Sequence, residues 1–150
     1  MQEPVLVQRE MGKKEEALIQ KNVERLTRHG WAICTEWEPV PGLPQFDRGN
    51  ILAKNENCIL TVECKHINST NTSKQRQKVR DQATLYASFA KIKNPSKRVR
   101  GCYSTNETHE YTNDIMYDDA MERIAVYLKK KSLTYKVSEN DKKRFESYFK

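Results

Sequence analysis

Nowhere in the 150 residues does an apolar run approach the roughly 20 positions that a membrane-spanning helix needs, which argues against a membrane partner. Met1 to Glu10 contains acids and no apolar core segment, so it does not read as a signal peptide. None of the four cysteines, at positions 34, 58, 64 and 102, forms a Cys-x-x-Cys pair. Cys64-x-His66 has no second pair to complete a metal site. Cysteines scattered among strand-like apolar residues act as small hydrophobes, as expected of a reduced intracellular, cytoplasmic protein rather than a disulfide framework. Internal repeats, low-complexity tracts and helicase or ATP-binding segments are also missing. The length therefore suits one domain, 1–150, around one core. Acid is in shorter supply than base: 20 Asp and Glu against 27 Lys and Arg give a net charge of +7, which inclines the chain toward a polyanionic partner.

Periodicity orders the chain. Met1 to Arg9 reads as a short strand or a loose arm, and Lys13 to His29 as a helix with Ala17, Leu18, Val23 (or Asn22) and Leu26 on one stripe. Gly30 stands where a helix ends. Trp31 to Trp37 has strand character; Pro39, Pro41, Gly42 and Pro44 make an irregular connector. Ile51 to Ala53 and Cys58 to Lys65 are strands joined by a turn at Lys54–Asn57. A polar loop from Asn68, capped by Thr72 or Ser73, starts a helix from Lys74 to Ile92. Beyond the basic stretch 91–98, Val99 to Thr105 is a strand and Asp118 to Lys131 an amphipathic helix. Leu133 to Val137 suggests a last strand, and Ser138 to Asp141 a capping box opening a helix that runs to Phe149. Strands with helices on both sides imply an α/β (α+β) fold with a central mixed sheet. Its core spans about 12–105, and helices follow over about 114–150.

Chemistry concentrates at Ile59-Leu60-Thr61-Val62-Glu63-Cys64-Lys65. Alternate residues of a strand share a face, so Thr61, Glu63 and Lys65 project together and Leu60, Val62 and Cys64 project the other way. Two charges ending so apolar a strand are costly unless used or paired. Asp47 lies a short hairpin upstream. Two carboxylates, Asp47 and Glu63, with the Cys64 carbonyl as a third oxygen, suit Mg2+ or Mn2+ beside a phosphodiester. Lys65 would then be a point charge for water or phosphate. Lys74, Arg76, Lys78 and Arg80 crowd the start of the next helix, where the dipole already favours an anion. Arg76, Lys78 and Arg80 are therefore expected on DNA phosphates, with the run from Lys91 to Arg100 as the alternative path. His29 and His109 read as surface residues.

These elements resemble the PD-(D/E)xK nuclease superfamily, whose fold is the restriction-endonuclease-like core. Gln45-Phe46-Asp47, the Glu63-Cys64-Lys65 strand and the helix carrying Asp81-Gln82-Ala83-Thr84-Leu85-Tyr86 match, the last resembling the Gln-x-x-x-Tyr helix of the RecB-like branch. The resemblance covers about residues 12 to 105. It implies Gln82 as a catalytic residue, Tyr86 against the substrate, and a first-helix glutamate at the metal: Glu16, with Glu24 and Glu15 behind it. Phe46 stands where the family has proline, and the cysteines lack the spacing of the iron–sulfur members, so no cluster is expected. The implied activity is metal-dependent hydrolysis of DNA. Alternatives are cleavage of RNA, an inactive nucleic-acid-binding module of the same fold, or a basic surface for an acidic protein. Cutting both strands of a duplex would need two sites, hence a homodimer.

Overall fold

The computed structural model describes residues 5–39 and 48–134. Asp47, most of the proline-rich connector, residues 135–137 of the expected last strand, and the Ser138 cap with its helix lie outside the described residues.

Helix α1 runs Val5–Arg28. Its first turns occupy positions read above as a strand or arm. Gln8, Arg9, Glu10 and Met11 are adequate helix formers, and the one glycine, Gly12, costs only about 1 kcal/mol. The helix ends at Gly30, whose φ of 85° suits glycine. The Gly30 and Trp31 amides there donate to the Thr27 and Leu26 carbonyls at 3.0 and 3.1 Å. Strands β1 (Ala32–Trp37), β2 (Gly49–Lys54) and β3 (Cys58–Lys65) follow, then α2 (Thr72–Lys93), β4 (Arg98–Thr105), β5 (His109–Tyr111) and α3 (Tyr117–Thr134). Leu133 and Thr134 thus belong to a helix, not to a final strand.

The fold is α+β, with a five-stranded mixed sheet in the order β1-β2-β3-β4-β5. Every pairing is antiparallel except β3 with β4, which α2 connects. β3 is central, as its apolar sequence suggests. On one face Leu60, Val62 and Cys64 meet Leu26 and flanking α1 side chains. On the other, Ile59 and Val99 meet Tyr86, Phe89 and Ala90 of α2, with Ile124 of α3 behind them.

Two local expectations change. Neither Thr72 nor Ser73 caps α2: Asn71 does, with φ of 50° and no side-chain cap bond. The loop is instead tied by the Gln75 side-chain amide, which donates to Asn68 Oδ1 at 2.8 Å, while the Gln75 backbone amide reaches the Asn71 carbonyl at 3.0 Å. β5 is too short and polar for periodicity to reveal; it exists because the Thr105 amide donates to the Thr108 carbonyl at 2.8 Å and folds the chain back on β4.

Gly101 sets how closely α2 approaches the sheet. A Cβ there would lie 2.7 Å from the Ala83 carbonyl oxygen. Gly101→Ala should therefore cost about 1–3 kcal/mol through overpacking, read as a fall in thermal midpoint. An unchanged midpoint would mean that the helix has slack to move away.

Candidate active site

Glu63 sits on the α2 side of the central strand and is 4% exposed. The Asn50 amide donates to its Oε1 at 3.1 Å, and the Cys64 amide donates back to Asn50 Oδ1 at 2.8 Å. This clamp ties the end of the acid-bearing strand to β2. Burial pushes the Glu63 carboxyl up to about 8, and the Asn50 amide opposes that only in part. Asn50 had no place in the sequence reading, yet the hairpin contains it. Ile51 pairs with Val62, so the next step along the antiparallel ladder puts Asn50 beside Glu63.

Lys65 shares that face and is half-buried. Its Nζ lies 3.1 Å from Glu15 Oε1. The α1 acid at the site is therefore Glu15; Glu16, the first choice from sequence, is exposed, and neither Glu16 nor Glu24 lines the cavity. Adjacent helical residues diverge by about 100°, so the two glutamates cannot both face the sheet.

A cavity of about 460 Å³ gathers these groups: Glu15, Glu63 and Lys65 with Lys78, Gln82 and Tyr86 from α2. Gln82 and Tyr86 thus meet the Glu-x-Lys strand as expected. Tyr86 is mostly packed, its ring edge-on to Trp37 with centroids 6.1 Å apart. Cys64 also borders the cavity, although its thiol lies on the opposite face, 3.7 Å from the Asn22 amide nitrogen. That leaves its backbone on the cavity side. Arg48, overlooked in the sequence, reaches the rim and pairs with Glu36 and Glu38 at 3.8 and 3.9 Å.

Among the described residues no three His, Cys, Asp or Glu side chains converge as a metal cluster; Asp47 is not among them. The donors that are present fit a hard divalent cation. They are carboxylate oxygens and backbone at a strand end, and the nearest thiol is turned away. A carboxylate that burial disfavours as an anion is also one that a cation would stabilise.

The basic run does not act as a unit. Arg76 and Arg80, four apart, share a helix face, and Lys78, two residues from each, lies off it. Lys78 lines the cavity, Arg76 pairs with Glu107 at 3.4 Å, and Arg80 lies 5.6 Å over the Tyr103 ring. If phosphates enter this cavity, Lys78→Gln should flatten the salt dependence of DNA binding by nearly one unit of slope. Arg80→Gln should change it far less. Isotherms at several salt concentrations compare the two, and equal slopes would place the phosphates elsewhere.

His109 is not a surface residue either. Half-buried, it contacts Arg25 Nη2 at 2.7 Å and Ser104 Oγ at 3.2 Å, and burial followed by the Arg25 charge holds its pKa down. His29 is exposed, as expected.

No family model, curated protein or solved structure matches the chain. No helix among the described residues is long and apolar enough to cross a membrane.

Proposed function

We propose that this chain is a PD-(D/E)xK-type nuclease with a restriction-endonuclease-like core, hydrolysing phosphodiester bonds in DNA with Mg2+ or Mn2+. One observation carries the reading. The acid and the ammonium that end the central strand open into one cavity with a helix-borne glutamate, Glu15, and with Lys78 and Gln82 from the facing helix.

Asp47, Glu63 and the Cys64 carbonyl are the groups that would hold the cation, which when bound supplies Lewis acidity and charge neutralisation at the phosphate. The chain's own groups do the rest. Lys65, oriented by Glu15, sets a compact positive charge where negative charge develops on the phosphate or where a water is to be steered. Lys78 grips a flanking phosphate, and Gln82 hydrogen-bonds a phosphate oxygen or the attacking water. Such contacts go to the backbone rather than to base edges, so they position the nucleic acid without reading its sequence.

Incubation of supercoiled plasmid with the protein tests this. Nicking or linearisation is expected with Mg2+ or Mn2+ and is lost in EDTA. DNA binding without cleavage in either metal would favour the inactive module, and cleavage confined to RNA would favour the RNA endonuclease.

A further inference from the structure

The face of the sheet opposite Glu63 carries a second cavity. Helix α1 packs there on β1, β2 and β3. Beside it, over β4 and β5, is a space of about 380 Å³. Leu26 and Leu60 form its apolar floor, Trp31 and Tyr111 line it, and Arg25, Arg98 and Arg100 bring guanidiniums to it. Leu60 and Glu63 point to opposite sides of β3, so this cavity and the candidate active site do not share a face.

No acidic side chain among the described residues lines the cavity. Asp114 pairs with Arg98 at 2.9 Å and lies 3.6 Å from Arg100, offsetting part of their charge. Arg25 has no carboxylate partner among the described residues: its Nη2 donates to Asn22 Oδ1 at 2.9 Å and meets the His109 ring at 2.7 Å. Tyr111 is 48% exposed, and the Arg100 guanidinium lies 5.2 Å over its ring. An adjoining cavity of about 310 Å³ shares Arg25 and continues along α1 past Lys21 and Arg28, with Glu107 as its one acid among the described residues.

An apolar floor with an exposed ring suits a flat aromatic ligand, and guanidiniums suit a phosphate. Together they select a nucleotide whose base is free to leave its stack. A duplex keeps its bases inside and could use only the charges. A lone nucleotide would leave the adjoining basic cavity unused, whereas a strand would place its next phosphate there. We propose that this groove binds single-stranded nucleic acid, one base lying on Tyr111 and its phosphate on Arg25 and Arg100.

The test measures anisotropy of a fluorescent oligothymidine ten-mer, and of a hairpin duplex of similar length, against the full chain in EDTA. Without metal, the result stands whether or not the chain cleaves. Tyr111→Ala removes the half-exposed ring together with its contacts to Arg100 and His109, and should weaken the single strand about tenfold, in the range of one lost stacking contact, while duplex binding stays unchanged. Arg100→Gln should weaken it and flatten its salt dependence. Oligonucleotides carrying 4-thiothymidine should cross-link to the peptides holding Trp31 or Tyr111. No binding of the ten-mer, unchanged affinity in Tyr111→Ala, or cross-links confined to α2 would each overturn the proposal.

Discussion

Glu63→Gln should abolish cleavage and, in the same protein, remove a pH dependence of stability that the wild type shows without metal. Gln keeps an oxygen for the Asn50 amide, so the fold keeps its clamp while the charge is lost. The sign follows from burial. Glu63 titrates near 8 in the folded chain against 4.5 when exposed. Between those values the unfolded chain has released the proton and the folded chain still holds it, so stability falls as pH rises through that window. The contribution is fully present below 4.5 and gone above 8. A shift of that size corresponds to a contribution on the order of 5 kcal/mol, or roughly 10–20 °C in midpoint for a chain of this length. His109, with its pKa held down, acts in the opposite sense, its contribution being lost as pH falls. It does so equally in both proteins and cancels in the comparison. Thermal unfolding at pH 5 and pH 8 in EDTA is the measurement. Added Mg2+ at pH 8 should raise the wild-type midpoint and not the variant's, because the cation stabilises only a folded state that offers it a carboxylate. Identical pH profiles for the two proteins would mean that Glu63 is not the buried acid inferred here.

What could be read in advance divides along physical lines. Strand β3 was legible to the residue because burial on both faces demands an unbroken apolar run, and Cys58 to Lys65 has one with its charges only at the end. Gln82 and Tyr86 were legible because a four-residue spacing on a helix settles their common face. The choice between Glu15 and Glu16 was not. It depends on the rotation of α1 about its own axis, which the packing of Leu18, Val23 and Leu26 on the sheet decides. The stripe of apolar residues constrains that rotation only loosely, since it includes Ala17, which is exposed. The partners of the basic helix start were hidden for a related reason. Charge density is visible in a linear run, but its partners, Glu107 in the β4–β5 turn and Tyr103 on β4, are distant in sequence. Asn50 lay between the two cases. Hairpin register gives its position, but nothing in its residue type announces a clamp on a carboxylate.

Substitutions at Lys65 and Glu15 separate their roles from metal binding. Lys65→Ala should lower the single-turnover cleavage rate by about 10²–10³-fold, the usual loss when one group stabilising developing charge is removed. Its affinity for Mn2+, measured by calorimetry, should stay near that of wild type, because an ammonium is not a ligand. Lys65→Arg should recover only part of the rate, since a planar fork cannot occupy the position of a compact point charge. Glu15→Gln leaves Lys65 in place but removes the carboxylate 3.1 Å from its Nζ. The pair is about one-third exposed on each side, so its loss should cost no more than about 1 kcal/mol of stability. Cleavage should nevertheless slow by about tenfold, as when a supporting group that orients a site residue is lost. Glu16→Gln, one position along and facing solvent, should match wild type in both rate and stability. If Lys65→Ala loses Mn2+ affinity as severely as Glu63→Gln, the lysine is holding the metal site together rather than acting on the phosphate. If Glu16→Gln slows cleavage and Glu15→Gln does not, the helix presents its other face to the substrate.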